Sequence, residues 1–428
     1  KDDSENDWDA FNRQLQFPLS PSRAKANGSA EFNAEGRVEA GLSPEFVRQL
    51  RGFERSKGRT PRVFWFCPDP ENAMADPKYQ RRAEVHSLAR DLDILPAFLA
   101  AKEDIVLVRR MPSLEHRERL LEAGFALPEF EELDADENLK AESLTKQRKL
   151  GELRPWAWCP QSEELYADLP GERFWNPEVC DLFSKLSDQQ LQDETVVVRD
   201  AAELPGLASE REVVVKAPFG ASGQRNQRWA GDPTVRWAER IIAKQHAVVV
   251  EPWFDRVFEF SVQYEMERDG RLRKLGFVRV ENNPRGQFVA AEVGPKILNG
   301  LSEGLAKFMA LHVLKRYDED IREQLQEHIR PSGYRGPIGV DAFVYRDDVG
   351  DLKLRPVVEI NPRYTMGRVA WELRKRMASG VAGCWVRFEL RQKGETPNGA
   401  ILLNDPKTAE RTQASLCVAS SYRELSAT

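Results

Sequence analysis

The stretch that decides the fold is Gly339-Val-Asp-Ala-Phe-Val-Tyr-Arg346, followed by Asp347-Asp-Val-Gly-Asp351 and then by Leu352-Lys-Leu-Arg-Pro-Val-Val-Glu-Ile-Asn361. The two outer runs are rich in β-branched and aromatic residues, which favours strands. The Asp- and Gly-rich segment between them favours a turn. The pattern therefore predicts an antiparallel hairpin. A turn centred near Gly350 would place Asp341 opposite Glu359, with their Cβ atoms roughly 5 Å apart.

Three oxygen-bearing side chains share one face of this predicted hairpin. Side chains alternate along a strand, so Glu359 and Asn361 lie on the face of Asp341, while Val358 and Ile360 point into a core. Facing carboxylates repel each other unless a cation lies between them, and Mg²⁺ accepts carboxylates together with substrate phosphates. The alternative is a solvated edge hairpin, for which the flanks are too apolar. We predict Asp341, Glu359 and Asn361 as metal ligands.

A predicted strand that ends in a lysine leads into a loop of small residues. Glu212-Val-Val-Val-Lys216 is the strand, and Ala217-Pro-Phe-Gly-Ala-Ser-Gly223 is a loop whose backbone N–H groups can approach an anion. The lysine precedes the glycines, which matches neither the P-loop nor the dinucleotide-binding spacing. A tight turn with a snorkelling lysine is the alternative. Lys185 is a second cationic candidate, with an exposed helix lysine as its alternative. The candidate phosphate contacts are Lys185, Lys216, Gly220, Ser222 and Gly223.

A second predicted strand ends at a strand-to-loop junction that could bind a flat nucleotide base. Ala247-Val-Val-Val-Glu-Pro-Trp-Phe254 is an apolar run stopped by Pro252. Such a strand end can bind a base through backbone groups while apolar side chains sandwich it. Glu251 could equally be an ordinary acid at the end of a strand. The candidates are Glu251, Trp253 and Phe254 for the base, and Glu259 for ribose hydroxyls or metal.

Composition limits the class of protein. The chain has 428 residues, enough for two or three domains, and a formal net charge of −6, which gives no electrostatic reason to expect nucleic acid or a membrane as partner. Its five cysteines lack CxxC spacing, which favours reduced thiols. There is no apolar run of roughly 20 residues, and the polar start is unlike a signal peptide. We expect a cytoplasmic protein.

The order of the elements predicts an α/β (α+β) fold. A strand at 62–67, a helix at 80–92 and a strand at 104–109 indicate a small α/β domain. From residue 177 onward, predicted strands and helices mix without a repeat, with helices at 177–191 and 301–328. The segment before residue 60 shows little periodicity and reads as an arm.

The candidate residues occur in an order that resembles the ATP-grasp superfamily, over about 185–377. The most specific part is Glu359-Ile-Asn-Pro-Arg363 after the Gly339-Val-Asp341 strand. More narrowly, four stretches resemble bacterial ATP-grasp proteins with an amino-terminal pre-ATP-grasp domain. They are Phe66-Cys-Pro-Asp-Pro-Glu-Asn72, the segment from Asp91 to Pro96, Pro155-Trp-Ala-Trp158 and Glu359-Ile-Asn-Pro-Arg-Tyr-Thr-Met-Gly367. The loop departs from the pattern at Gln224, Arg225 and Asn226, where the family has a more glycine-rich flap.

The resemblance implies an ATP-grasp fold in which two α+β subdomains clasp the nucleotide, after a small α/β domain. It implies that Lys185 and Lys216 hold phosphates, that residues 251–254 hold adenine, and that Asp341, Glu359 and Asn361 bind one or two Mg²⁺, with Mn²⁺ as an alternative ion. Arg363 would be the catalytic residue that steadies an acyl phosphate. The implied domains are an arm at 1–60, a pre-ATP-grasp domain at 61–176, subdomains at 177–255 and 256–390, and a tail at 391–428.

The expected activity is that of an ADP-forming carboxylate–amine ligase acting on small-molecule or peptide substrates. Two alternatives stay open: a phosphotransferase acting on a hydroxyl, and an ATP-binding protein without turnover. Arg279, Arg285 and Arg355 are candidates for gripping a substrate carboxylate, although each is more often a structural arginine. The sequence does not indicate the oligomeric state.

Overall fold

The computed structural model describes residues 59–76, 78–220, 225–283, 287–294, 296–377, 383–390 and 399–419. The chain divides into two compact units, Lys1–Pro61 and Arg62–Thr428, and every element named below belongs to the second. The predicted arm at 1–60 lies outside the described residues except for its last two.

The second unit starts with a small parallel sheet. Its strands are β1 (Val63–Trp65), β2 (Ile105–Val108), β3 (Glu129–Glu132) and β4 (Leu153–Pro155), in the order β3-β2-β1-β4. All three pairings are parallel, and β1 and β2 are buried along their whole length, as expected for continuous apolar runs. The helices of this region are α1 (Pro70–Ala75), α2 (Ala83–Leu92), α3 (Leu114–Glu122), α4 (Leu144–Gln147) and α5 (Pro160–Leu165).

A four-stranded antiparallel sheet follows. It contains β5 (Val196–Val198), β6 (Val213–Lys216), β7 (Asn226–Arg228) and β8 (Val248–Pro252), in the order β5-β8-β6-β7. Its valines pack against helix α9 (Asp232–Gln245), whose Ala238 is fully buried. The other helices are α6 (Val179–Leu182), α7 (Lys185–Asp188) and α8 (Leu204–Glu210). The helix predicted at 177–191 is thus broken: the first segment ends at Leu182, and Ser184 caps the next by accepting a hydrogen bond from the Leu186 N–H.

The largest element is an eight-stranded antiparallel sheet. Its strand order is β13-β12-β9-β10-β11-β14-β16-β15, with these bounds: β9 (Asp255–Met266), β10 (Leu272–Asn282), β11 (Phe288–Val293), β12 (Gly336–Arg346), β13 (Leu352–Asn361), β14 (Gly383–Leu390), β15 (Ile401–Leu402) and β16 (Thr412–Ala419). Its helices are α10 (Glu303–Phe308), α11 (Asp320–Ile329) and α12 (Met366–Arg374). The helix predicted at 301–328 is interrupted by a π-helical turn at Met309–Val313 and a 3₁₀ turn at Lys315–Tyr317.

The predicted tail at 391–428 is wrong for its described part. Residues 399–419 contribute β15 and β16, and β16 pairs with β14 along eight residues. Leu416, in this segment, is fully buried in the sheet. Residues 391–398 and 420–428 lie outside the described part of the chain.

Two apolar clusters join these elements. One contains the parallel sheet together with α12 and residues of β10, β11, β14 and β16, so the small sheet packs against the large one. The other lies among β9, β12 and α11. Mixed sheets and helices with a small α/β unit in front confirm the predicted α/β (α+β) class. Among the described residues, no helix combines the length and the apolar character needed to span a membrane.

Candidate active site

The hairpin β12–β13 places two carboxylates opposite each other. Asp341 pairs with Glu359, as the sequence predicted. Near the turn, however, Arg346 pairs with Leu352, a register that would put Asp341 opposite Val357 if it continued. The predicted pairing therefore depends on a shift of register along the strands.

That shift is a β-bulge between the turn and the acids. The pairing changes between Asp341 and Phe343, and Phe343 faces Arg355, next to Pro356. Proline cannot donate a ladder hydrogen bond, so bulges are among the few places where a strand accepts it. The bulge supplies extra residues on β13 and brings Glu359 level with Asp341.

Asp341, Glu359 and Asn361 form an oxygen-rich face. The Asn361 Nδ2 group donates to Asp341 Oδ2 at 3.1 Å. Loss of solvation, followed by repulsion from Glu359, raises the pKa of Asp341 to about 6. Two carboxylates and one amide are fewer than a complete cage of protein ligands, and the described residues hold no group of three or more His, Cys, Asp or Glu placed for a metal. The set fits Mg²⁺, which keeps positions for water and substrate phosphates.

Lys185 reaches this face from the first residue of α7. Its ammonium donates to Glu359 Oε1 at 2.9 Å and to the Gly220 carbonyl oxygen at 2.7 Å. The lysine side chain is 5% exposed, so it is not the surface helix lysine of the alternative interpretation. Lys185 therefore connects the oxygen-rich face to Gly220 of the small-residue loop. The predicted contacts Ser222 and Gly223 lie outside the described residues.

Lys216 forms a second buried ion pair. Its Nζ donates to Glu251 Oε1 at 2.7 Å, and each side chain is 4% exposed. The pair spans neighbouring strands, since Lys216 ends β6 and Glu251 lies on β8. Burial lowers the pKa of Lys216, and Glu251 opposes that effect. The buried position excludes a solvent-exposed, snorkelling lysine.

Arg363 is anchored from two sides just after β13. Its Nη2 donates to Asn361 Oδ1 at 2.8 Å, and its Nε donates to Glu71 Oε1 at 2.7 Å. Glu71 lies in α1, beside the parallel sheet, and its side chain is 6% exposed. The guanidinium group is therefore held next to the carboxylates by a residue distant in sequence.

A cleft of about 200 Å³ brings most of these groups together. Of the predicted residues, seven line it: Lys216, Trp253, Glu259, Asp341, Glu359, Asn361 and Arg363. Trp253 has the guanidinium groups of Arg228 and Arg256 over its ring, with centroid distances of 4.6 and 5.8 Å. Glu259 accepts hydrogen bonds from Arg256 at 3.1 Å and from Asn282 at 2.8 Å. The polar and aromatic walls lie on both the four-stranded and the eight-stranded sheet.

Phe254 does not line the cleft with the other predicted residues. Its ring packs on Phe343 and Tyr345, with centroid distances of 5.4 and 4.4 Å. Glu251 and Lys185 are likewise absent from the cleft lining among the described residues, but each forms an ion pair with a residue that lines it, Lys216 and Glu359 respectively. These three residues therefore contact the cleft through their partners.

The arginines considered for a substrate carboxylate are engaged elsewhere. Arg279 donates to Glu292 at 3.1 Å and to the Ile297 carbonyl oxygen. Arg355 donates to Thr195 at 2.7 Å and to the Asp193 carbonyl oxygen, and its side chain is buried. Both are structural arginines. Arg285 lies outside the described residues.

Sequence reasoning missed two acids near the cleft. Glu71 lies in the Phe66–Asn72 motif, and membership of that motif is the only sign in the sequence that this residue has a role. Asp188 is fully buried at the end of α7, where its Oδ2 accepts from the Ile360 N–H at 3.1 Å. Burial raises the pKa of Asp188 well above its usual value. Its spacing of three residues from Lys185 was a weak sign that both face the hairpin.

Comparisons with known proteins give similar solved structures only. No family model matches the chain, and no curated protein matches it. The N5-carboxyaminoimidazole synthetase of Staphylococcus aureus complexed with ADP is 11% identical with a TM-score of 0.49, over 86% of this chain and 95% of that one. The biotin carboxylase domain of Hydrogenobacter thermophilus 2-oxoglutarate carboxylase, solved with MgADP, ADP and bicarbonate, is 12% identical with a TM-score of 0.48, over 86% and 89%. N5-carboxyaminoimidazole synthase of Aspergillus clavatus, with ADP and 5-aminoimidazole ribonucleotide, is 12% identical with a TM-score of 0.44, over 75% and 95%.

Proposed function

We propose that this chain is an ATP- and Mg²⁺-dependent ligase of the ATP-grasp type, which activates a carboxylate as an acyl phosphate for attack by an amine. The observation that carries the proposal is the convergence of Asp341, Glu359, Asn361 and Arg363 at one cleft. A protein that only stores or senses a nucleotide has no need of an arginine held rigidly beside the metal face. Arg363 is held in that way by Glu71 and Asn361.

The charges of the cleft fit the chemistry of phosphoryl transfer to a carboxylate. Mg²⁺ bound to the oxygen-rich face would neutralise charge on the transferred phosphoryl group. Lys185 and Lys216 supply two buried ammonium groups for the phosphates. Arg363 supplies a fixed guanidinium group that can bind the oxygens of the acyl phosphate and of the tetrahedral adduct that follows.

The reaction then has two balanced steps. A carboxylate oxygen attacks the γ-phosphorus, so that one P–O bond forms and the bond to ADP breaks. The amine nitrogen attacks the carbonyl carbon, loses a proton and displaces phosphate as the C–O bond breaks. The net products are an amide, ADP and phosphate, and the substrates belong to the class of small-molecule or peptide acids and amines.

The alternatives differ in their products. A phosphotransferase would form ADP and a phosphorylated hydroxyl without free phosphate, and a binding protein would form neither product. The test is incubation with ATP, Mg²⁺ and pooled amino acids, with ADP and phosphate measured separately. Phosphate release that requires both an acid and an amine supports the ligase, and ADP with a phosphorylated acceptor refutes it.

A matched pair of variants tests the metal face. We expect Glu359→Gln to lower turnover by at least about 100-fold, because it removes one charged ligand. Asp348→Asn, in the exposed turn of the same hairpin, is the control and should keep full turnover. Turnover that survives Glu359→Gln would rule out the metal assignment.

A further inference from the structure

A crevice of about 750 Å³ lies at the carboxyl ends of the four parallel strands, apart from the cleft described above. Trp65 ends β1, Arg109 directly follows β2, the 134–138 turn follows β3, and Gln161 and Glu164 follow β4. In open parallel sheets, small molecules bind outside the carboxyl ends of the strands, where the connections diverge to opposite sides. The strand order places such a point between β1 and β4.

Two buried guanidinium groups are aimed into this crevice. The side chains of Arg81 and Arg109 are 9% and 5% exposed. Arg81 is fixed by Asp69, which accepts from its Nε at 3.0 Å, and Arg109 donates from Nη1 to the Phe66 carbonyl oxygen at 3.0 Å. The Nε of Arg109 is buried and has no hydrogen-bond partner among the described residues. A buried cationic donor without a partner is costly unless something occupies its direction.

Both arginines converge on the carboxylate of Glu137. Arg81 Nη1 donates to Glu137 Oε2 at 2.9 Å, and Arg109 Nη2 lies 2.8 Å from the same oxygen. Burial would raise the pKa of Glu137, but the two guanidinium groups outweigh it and lower that pKa to about 2. Glu137 also has a φ of 61°, a left-handed conformation that few glutamates adopt. Glu137 therefore presents its carboxylate to both arginines from a turn residue in the left-handed region.

We propose that this crevice is a binding site for the carboxylate of a small molecule, and that the Glu137 side chain occupies the place of that carboxylate when no ligand is bound. A ligand carboxylate would accept hydrogen bonds from Arg81 and Arg109. It could also accept one from the Arg109 Nε, which has no hydrogen-bond partner among the described residues. Glu137 lies on a turn after β3 and is 25% exposed, so its side chain can turn toward solvent when it is displaced.

The position of the crevice gives the bound acid a role, which rests on the proposed function. Asp69 holds Arg81 at the crevice, and Glu71, two residues further along, holds Arg363 at the cleft. One short segment therefore positions a guanidinium group at each site. The crevice therefore suits the carboxylate of a substrate of the proposed ligase.

The test measures binding of glutarate, a dicarboxylate that corresponds to glutamate without its amino group, to the full chain by calorimetry without nucleotide. We expect Glu137→Ala to bind glutarate at least about 10-fold more tightly than the unchanged chain, because the internal competitor is gone. Adding Arg81→Met to Glu137→Ala should weaken glutarate binding by a similar factor. Glu122→Ala, at the exposed end of α3 and outside the crevice lining, is the control and should leave the affinity unchanged.

Several outcomes would overturn the proposal. The first is that Glu137→Ala and the unchanged chain bind glutarate with equal affinity. The second is that Arg81→Met does not change this affinity. The third is that the chain binds inorganic phosphate but not glutarate. If Glu137→Ala does not fold, Glu137→Gln keeps the side-chain size and should also bind glutarate more tightly, since a neutral amide competes less well. No ATP is present, so a failure of this test and a failure of the ligase assay are separate results.

Discussion

Replacing Glu251 by Gln removes the carboxylate that faces Lys216 inside the four-stranded sheet. Both side chains are 4% exposed and the Nζ–Oε1 distance is 2.7 Å, so the pair is largely shielded from solvent. Breaking a buried pair from one side typically costs about 3–5 kcal/mol, whereas an exposed pair contributes about 0.2–1 kcal/mol. We therefore expect Glu251→Gln to lower the free energy of unfolding by about 3 kcal/mol, and the double variant Lys216→Met with Glu251→Leu to lose much less.

Urea denaturation followed by circular dichroism gives this comparison, with the slopes checked for equality between variants. The exposed pair of Glu212 and Arg228, on the same sheet, supplies the control, and Glu212→Gln should leave the midpoint unchanged.

The pH dependence gives a second check. In Glu251→Gln the pKa of buried Lys216 falls further below its unfolded value, so the unfolded state binds more protons and stability should rise with pH up to about 10. The single variants Lys216→Met and Glu251→Leu complete the comparison. If each loses less than about 1 kcal/mol of unfolding free energy, and the two losses add up to that of the double variant, the pair does not behave as a buried ion pair.

Three further predictions concern other parts of the fold. Gly276→Ala would place a Cβ 2.1 Å from the Trp371 ring, and we expect a loss of about 2–3 kcal/mol in thermal denaturation that Trp371→Leu largely restores. Burial raises the pKa of Asp93 to about 7, so between pH 4 and 7 the folded state keeps a proton that the unfolded state has lost. The free energy of unfolding should therefore fall by roughly 4 kcal/mol as the pH rises from 4 toward 8. The urea midpoint of Asp93→Asn should depend less on pH than that of the unchanged chain. Glu71→Gln should lower kcat by about 10-fold or more with little change in the KM for ATP, because it loosens Arg363; an unchanged kcat would contradict a positioning role.

The positions of many strands were predictable because each strand coincides with a short apolar run in the sequence. Strand positions such as 104–109 and 212–216 were expected from apolar runs, and β2 and β6 lie within them. Breaks in long helices were not expected, because a capping serine such as Ser184 has the same polar character as a surface residue. Strands β15 and β16 were missed because a sheet edge can be completed by mostly polar segments whose partners are distant in sequence.

The pairing of the two carboxylates on the oxygen-rich face was predictable for a related reason. A hairpin makes its two strands neighbours in sequence, so alternation and the turn sufficed to pair Asp341 with Glu359. The contact between Glu71 and Arg363 joins residues 292 positions apart, and no local pattern specifies such a pair. The bulge also shows that a correct pairing can follow from an incomplete account of the turn.

The ion pairs of the cleft explain how so many charged groups can lie close together in the folded protein. Lys185 neutralises Glu359, and Lys216 neutralises Glu251, so neither buried ammonium group is left alone. An anion alone would compete with Glu359 for Lys185 and leave that carboxylate beside Asp341, whereas a cation alone would leave Lys185 without its partner. A ligand that brings phosphate oxygens and a divalent cation together satisfies both halves of the pair at once. Under the proposed function, this arrangement would therefore favour the metal–nucleotide complex over either component alone.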